Sequence, residues 1–425
     1  MTSGDISRRR ILGLIAAAAI LAGTDCSTTA SRPLAQEDGV TKGPVLLRVY
    51  QTRAAVMWET ESKEPCKLYY GKGSDIDRYV ESSGEKVQYD LSSKDEGEIE
   101  KTVYIHKVWI EGLDAGTTYN YQVGGPEVKG KTYQFKTAPS AISTVRFAVY
   151  GDSRTRPEVH RKLVELMKAK KVDFIVNSGD FVTNGGKYEQ WGPQFFEPIK
   201  GLAEGVPIYA IKGNHEGTSG NYEKLLIPPG ETNDFRFDYG PVHYFCVDNA
   251  SKNVKVSKIL DAITSDTKNS EAQWKFVSFH RPSLNFGHHW SAWGYPDALP
   301  RLSEAGVDFV VVGHSHQYER FRPIAPAAEG AGGHVTYITS GGGGALLSSV
   351  NPTAYHAFAK STLNFCLFEI EGDKLNMDVI DVNGKVIDHL EIRKSGGQLN
   401  KEYTQTAIPM EEIRRFQKAN LQRQN

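Results

Sequence analysis

The sequence predicts an α/β domain preceded by an all-β sandwich, and three patterns carry that expectation. Between Gly43 and Ala138, short strand-like runs are punctuated by turn residues, as in antiparallel sandwiches. After Thr137-Ala138-Pro139-Ser140, which reads as a linker, apolar runs alternate with helical patterns, as in sheets covered by helices. Five of those later runs deliver a carboxylate, amide or imidazole at their carboxyl end, where open α/β sheets bind ligands.

The chain opens with Ser7-Arg8-Arg9-Arg10-Ile11-Leu12-Gly13 and an apolar run to Ala22, which together read as a twin-arginine export signal. That run is too short for a bilayer, which needs about 20 apolar residues. The Ser-, Thr- and Ala-rich stretch that follows reads as a cleavage region and tether, so residues 1–42 are assigned to signal and tether. The expected partner is the twin-arginine export machinery, and the expected location periplasmic or secreted. Cys26 follows Thr24 and Asp25, poor neighbours for a lipidated cysteine, so lipidation is not expected. No later stretch is long and apolar enough to cross a membrane, and the mature chain is expected to have no transmembrane span.

Composition is that of a globular protein, with 39% hydrophobic and 24% charged residues. Its 50 basic and 51 acidic residues leave a net charge of -1, which gives no general pull toward nucleic acid or acidic membranes. Cys246 and Cys366 lie in apolar strand patterns and are expected as buried thiols, a disulfide between them being the alternative in an oxidising compartment. The cysteines, Cys66 included, lack the spacing of a zinc cluster.

In the sandwich, assigned to 43–138, the strand-like runs are 45–50, 54–59, 66–70, 101–110, 118–123 and 133–136. Trp58 is expected in its core, and Gly112 to Tyr119 resembles the loop into the tyrosine corner of immunoglobulin or fibronectin-type domains. It offers no set of ligand-type residues, so a supporting or substrate-rim role is expected. In the α/β domain, assigned to 144–393, a helix follows Pro157, with Val159, Leu163, Leu166 and Met167 at helical spacing. Runs 235–237 and 243–247 form a hairpin, and runs 364–370 and 375–380 continue as antiparallel strands before the turn Val382-Asn383-Gly384-Lys385. Gly341-Gly342-Gly343-Gly344 is expected as a flexible loop bordering the site, a phosphate-cradling nest being the alternative. The polar tail 394–425, with one helical pattern at 410–422, is expected to be peripheral.

The chemistry lies at the strand ends. Run 145–150 leads into Gly151-Asp152-Ser153-Arg154, and run 172–177 into Ser178-Gly179-Asp180. Run 206–211 leads to Gly213-Asn214-His215-Glu216, run 274–279 to His280-Arg281-Pro282, and run 307–312 to Gly313-His314-Ser315-His316. Two histidines one residue apart point to the same side of an extended segment. Carboxylates, an amide oxygen and imidazoles form a mixed oxygen and nitrogen set that suits Zn, Fe or Mn.

This order of motifs resembles the calcineurin-like metallophosphoesterase superfamily. Gly-Asn-His-Glu, the run from His280 ending in His288-His289, and Gly-His-Ser-His-Gln-Tyr-Glu-Arg from Gly313 resemble the purple acid phosphatases, and the likeness covers roughly 43–393. The resemblance implies a four-layer α/β/β/α sandwich and hydrolysis of a small-molecule phosphomonoester at two divalent or trivalent ions of Fe, Zn or Mn. It implies that Asp180 bridges both ions, that Asp152 and His316 complete the first, and that Asn214, His280 and His314 hold the second. His215 is implied as a non-ligand that faces the leaving group, and His288 and His289 as a substrate-facing pair.

One departure stands out. Purple acid phosphatases carry a tyrosine ligand three residues after the bridging aspartate, and other members a histidine two residues after the first aspartate. Here those positions are Thr183 and Arg154, so the first ion is expected to be one ligand short. Arg154 is expected either to meet a phosphate oxygen or to form a surface salt bridge. Tyr188 and Tyr318 are the tyrosines that could stand in for the missing phenolate. A phosphodiesterase using the same site, or a non-catalytic binding or cell-surface structural protein, remains an alternative. For export, replacing Arg8 and Arg9 by lysine is predicted to leave the protein in the cytoplasm; fractionation that finds the variant exported as well as the wild type would refute the twin-arginine route.

Overall fold

Alternation along each strand decides the layering. On the strand Val145–Tyr150, Phe147 and Val149 join one buried cluster with Phe276 and Val311, whereas Ala148 and Tyr150 join another with Leu163 and Met167. Across the molecule, Phe309 and Val311 point into the shared cluster, and Val310 and Val312 pack with Ile259, Ile263 and Leu302 on the other side. Because side chains alternate across a strand, each sheet buries both faces, one on its partner sheet and one under helices. The result is a four-layer α/β/β/α sandwich behind an all-β domain. The computed structural model describes residues 39–424 except 94–96, 125–129, 141–143, 252–254, 287–288, 290, 329, 331 and 397. The expected export signal and His288 lie outside these described residues.

The first sheet runs in the order Ile208–Ala210, Phe174–Asn177, Val145–Tyr150, Asn364–Glu371, Lys374–Asp381, Val386–Ser395, Gln398–Leu399. Its first three strands are parallel and the rest antiparallel. The second runs Phe235–Tyr239, Val242–Val247, Trp274–Phe279, Phe309–Val312, Thr336–Ser340, Tyr318–Phe321, His356–Lys360, with parallel pairing through the middle. Aromatic rings fill the space between the sheets: Phe276 meets Phe147 edge-on at 5.3 Å and Phe368 edge-on at 5.2 Å. Such edge-to-face pairs add to the burial of their area.

The N-terminal domain comprises two four-stranded antiparallel sheets, Val40–Val49 with Arg53–Thr60, Gly97–Glu111 and Glu85–Ser93, and Arg78–Ser82 with Cys66–Gly71, Thr118–Gly124 and Tyr133–Lys136. Trp58 is fully buried between them and stacks on His106 at 5.0 Å. The tyrosine corner is present: the Asp114 N–H donates to the Tyr119 hydroxyl at 2.9 Å.

This domain is fastened to the α/β domain. Arg48, almost wholly buried, donates to Glu231 at 2.9 Å and to the Thr232 carbonyl at 2.8 Å. Lys107 donates to the Glu223 and Ile227 carbonyls at 2.9 and 2.8 Å, at the carboxyl end of the helix Asn221–Leu226. The Tyr188 hydroxyl donates to Glu59, which also pairs with Lys42 at 2.7 Å. The connection at 137–140 is pinned as well, since the Ala138 N–H donates to Tyr50 O and the Gly240 N–H to Pro139 O.

Two expectations change, and two are met. The glycine run at 341–344 is buried, not a flexible loop, because other backbone segments lie too close for any side chain. The C-terminal segment is not peripheral: Ile408, Met410 and Ile413 enter the core under the second sheet, and Gln417 donates to the Ser283 carbonyl at 2.7 Å. Apolar residues spaced along an otherwise polar helix suffice for that docking. The helix Pro157–Ala169 buries His160, Leu163, Val164 and Met167, with Val159 and Leu166 at the flanks of that face. Cys246 and Cys366 are free buried thiols with no disulfide between them, and burial pushes the Cys366 thiol up to about 12.

His243 sits at the end of the second sheet remote from the strand carboxyl ends, held at 2.7 Å by Asp238 and by Asp266. Burial acts to lower its pKa, but hydrogen bonds and charge from the two carboxylates outweigh it and raise the pKa. A raised folded-state pKa stabilises fully below the unfolded value of about 6.5 and loses that contribution as pH rises through the folded value. The wild type is therefore predicted to exceed His243→Asn in urea midpoint by more at about pH 5.5 than at about pH 8.5; an equal margin at both would refute the pairing.

Candidate metal centre

Five strands bring their carboxyl ends to one place across the seam of the two sheets. Val145–Tyr150, Phe174–Asn177 and Ile208–Ala210 supply Asp152, Asp180 and Asn214 with His215 from the first sheet. Trp274–Phe279 supplies His280, and Phe309–Val312 supplies His314 and His316, from the second. The turns that follow are unusually tight. Asp152, Asp180 and His314 have φ of 60, 59 and 68°, a left-handed conformation that costs a side-chain-bearing residue about 1–3 kcal/mol. Glycine is required beside them: a Cβ on Gly313 would stand 2.7 Å from Asp152 Oδ2, and one on Gly213 2.3 Å from Asp180 Oδ1.

Hydrogen bonds hold these turns in place. Asp152 Oδ2 accepts from the His314 N–H at 2.8 Å, and Asp180 Oδ1 from the His215 N–H at 2.9 Å. Glu216, fully buried, accepts the N–H groups of Asp180, Phe181 and Gly213 at 2.9, 2.9 and 2.7 Å. The glycine run lies beneath: the Gly343 N–H donates to Gly151 O and the Ala345 N–H to Asp152 O, and a Cβ on Gly341 would stand 2.1 Å from Ser315 O. The N–H groups of Gly341 and Gly343 are thus spent on protein carbonyls, and the phosphate-cradle alternative has no support from them.

The side chains form two adjoining groups. The ligand atoms of Asp152, Asp180 and His316 lie within 4.8 Å of one another, all buried. His316 Nδ1 donates to the Leu346 carbonyl at 2.8 Å, which leaves Nε2 facing Asp152 Oδ1 at 3.5 Å. In the second group His280 Nδ1 donates to the Ser178 carbonyl at 2.8 Å. Its Nε2 then faces Asn214 Oδ1 at 3.1 Å, Asp180 Oδ1 at 3.3 Å and His314 Nδ1 at 3.3 Å. Fixing one ring nitrogen on a carbonyl so that the other faces inward is how proteins orient metal-binding histidines. Asp180 touches both groups.

Electrostatics favour cations here. Burial works against ionisation of Asp180, but the charges of His280 and His215 prevail and hold its pKa below the usual carboxylate range. His280 is correspondingly raised against the effect of burial, chiefly by Asp180. His314, buried beside His280, is pushed down to about 3 and stays neutral, the form that binds metal. Asp152 Oδ1 is buried without a hydrogen-bond partner, an exposed lone pair that a cation would satisfy. Oxygen and imidazole donors with such an orphaned carboxylate oxygen fit a pair of hard or borderline ions.

Around the groups stand the remaining candidates. His215 donates from Nδ1 to Thr183 O at 2.7 Å and keeps Nε2 3.8 Å from Asp180, partly open to solvent. Arg154 lies over the first group, Nε 3.6 Å from Asp180 and Nη2 3.4 Å from His316 Nε2. Its guanidinium is therefore mostly buried at the site and not in a surface salt bridge. The His289 ring centroid is 4.8 Å from that of His316 and 5.7 Å from that of His314. The Thr183 hydroxyl donates to Gln194 at 3.0 Å. Tyr188 and Tyr318, the possible substitutes for a phenolate, are engaged with Glu59 and Asp388 instead.

Two positioning residues escaped the sequence reading. Glu216 lay within a recognised motif but carried no assigned role. Asn249 follows the strand Val242–Val247, and its Oδ1 accepts from the N–H groups of His280 and Arg281 at 3.1 and 2.9 Å while its Nδ2 donates to Arg281 O at 2.7 Å. It ends a sixth strand by the same strand-then-turn pattern, which was the signal available.

The fold is an α/β/β/α sandwich, and the calcineurin-like phosphoesterase family matches residues 145–318. The N-terminal domain of purple acid phosphatases matches residues 45–137, so the chain carries a calcineurin-like metallophosphoesterase domain preceded by a purple acid phosphatase-type N-terminal domain. It is similar to purple acid phosphatase 21 of Arabidopsis thaliana, 30% identical over 261 residues that cover 56% of this chain and 58% of that protein. It is also similar to acid phosphatase type 7 of Mus musculus, 24% identical over 264 residues that cover 54% and 60%. The chain thus spans about three fifths of the length of these curated relatives. Among solved structures, purple acid phosphatase PPD1 from yellow lupin (Lupinus luteus) seeds shares the fold, with 18% identity, a TM-score of 0.67, and coverage of 82% of this chain and 74% of that one.

Glu216→Gln is predicted to destabilise the protein by about 3 kcal/mol, because an amide can accept through one oxygen only and turns its own N–H groups toward buried donors. Urea unfolding that shows no change would refute the clamp.

Proposed function

We propose that the protein hydrolyses phosphomonoesters at a dinuclear metal centre. The observation that carries this reading is the convergence of Asp152, Asp180 and His316 beside Asn214, His280 and His314, with an unpartnered buried oxygen on Asp152. Asp180 would bridge the two ions, Asp152 and His316 would hold the first, and Asn214, His280 and His314 the second. Two ions of Fe, Zn or Mn held by these residues would supply positive charge for phosphoryl oxygens and would acidify a water, which is the chemistry that phosphoester hydrolysis needs.

The chain's own groups do the rest. Arg154, a planar donor above the first group, orients phosphoryl oxygens. His215, anchored at Nδ1 by Thr183 O, presents Nε2 to the open side and, in its doubly protonated form, can hand the Nε2 proton to the leaving oxygen. His289 borders the same opening, and His288 is assigned with it from the motif. Thr183 offers no phenolate, so the first ion would have one protein ligand fewer than in the purple acid phosphatases. Export through the twin-arginine route, and the limits 43–138 and 144–393 for the two domains, belong to the same proposal. Among the described residues no helix is long and apolar enough to cross a membrane.

Asp180→Ala is predicted to abolish hydrolysis and release both metals, whereas His215→Ala keeps two metals and loses roughly 10²- to 10⁴-fold in rate. Metal analysis beside a panel of phosphomonoesters and diesters checks this. An Asp180→Ala enzyme that remains active, or a wild type that binds no metal and cleaves no ester, sinks the proposal.

A further inference from the structure

The opening at Arg154, His289 and His316 is a cleft of about 540 Å³ that is lined as well by Leu346, Leu347, Ser348 and Ser349. That volume falls within the roughly 300–1,000 Å³ of pockets that hold whole organic ligands, and a phosphoryl group over the metal-ligand side chains leaves most of it unfilled. Five large hydrophobic residues are exposed among the described residues: Tyr79, Ile99, Leu346, Leu347 and Val386. Three stand singly on strands, where an isolated apolar side chain is ordinary. Leu346 and Leu347 are consecutive, lie outside any strand or helix, and are 69% and 39% exposed at the mouth of the cleft.

Their exposure is built in. The Leu346 carbonyl accepts from His316 Nδ1 at 2.8 Å, and the Ser348 N–H donates to His316 O at 2.9 Å. On the other side the Ala345 N–H donates to Asp152 O at 2.8 Å, and Arg156 Nε donates to Gly344 O at 2.7 Å. The strap that carries the two leucines is therefore bonded directly to two of the proposed metal-binding residues and cannot turn the leucines inward without releasing them. The rest of the lining differs: Thr155 and Thr183 are polar and Arg154 is cationic. A cleft with a cationic floor and an apolar lip matches a molecule with a phosphate at one end and an apolar group at the other.

We infer that the substrates are phosphomonoesters of apolar alcohols, alkyl or aryl, whose organic group packs on Leu346 and Leu347 while the phosphate meets Arg154 and the centre below. This rests on the proposed phosphoesterase function and adds the class of alcohol. Burial of apolar surface is worth about fourfold in binding for each methylene covered, so selectivity should follow chain length.

The test uses the metal-loaded full chain with ethyl, butyl and hexyl phosphate, whose leaving groups are nearly equal in acidity, so that intrinsic reactivity is constant along the series. In the wild type kcat/KM is expected to rise by at least about tenfold from ethyl to hexyl phosphate, the gain appearing in KM. In Leu346→Ser/Leu347→Ser the ratio of hexyl to ethyl should fall several-fold. Ethyl- and hexylphosphonate, which cannot be hydrolysed, give a readout independent of turnover: calorimetry should find the hexyl compound bound more tightly by wild type, and the preference reduced in the variant. A flat series in the wild type, or a preference that survives the double substitution, overturns the inference even if all three esters are cleaved. Failure to cleave any ester defeats the phosphoesterase reading instead, and the phosphonate pair still decides whether the lip selects apolar chains.

Discussion

One carboxylate holds the site together. Glu216 draws the N–H groups of Asp180 and Phe181 from one loop and of Gly213 from another, so that the bridging candidate and the loop bearing Asn214 are fixed relative to each other. Leaving a buried N–H without its acceptor costs about 1–3 kcal/mol, comparable to the strain of a left-handed aspartate. The left-handed turns at Asp152, Asp180 and His314 can persist because such bonds over-determine them. A side chain that never faces the opening thus decides where those that do can stand.

The same logic extends outward. His280 and His316 are each aimed by a backbone carbonyl, from Ser178 and Leu346, and the peptide after His280 is gripped by Asn249. The segment that supplies the Leu346 carbonyl rests on four glycines whose neighbours leave no room for a Cβ. Packing at that density holds together groups that two separate sheets supply. It also makes the inner face of the site rigid and leaves selectivity to the rim.

The N-terminal domain braces that rim from behind. Glu59 reaches Tyr188, on the stretch that follows Asp180 and Thr183, and Arg48 and Lys107 hold the chain beyond the Asn214 loop. These partners are buried or half-buried and bonded to charged groups, which ties the two domains together. The domain contributes no ligand, yet it bears on the position of loops that do.

The sequence by itself determined the layering and the chemical inventory. Strands buried on both faces must be continuous apolar runs, and the polar residues that interrupt them at the carboxyl ends stand out against that background. Asp152, Asp180, Asn214, His280, His314 and His316 were therefore legible one strand at a time, and their grouping followed from the open-sheet rule and from the resemblance. Tertiary structure alone decided what depends on segments distant in the chain. That Gly341 to Gly344 is wedged under Asp152, that Ile408 and Ile413 complete the core, and that Asn249 holds His280 are statements about which backbones approach, and a local pattern carries no information about a partner far away in sequence. The role of Leu346 shows the division most plainly: its side chain reads as an ordinary apolar residue after a glycine run, and only the hydrogen bond from His316 to its carbonyl places that side chain at the mouth of the site.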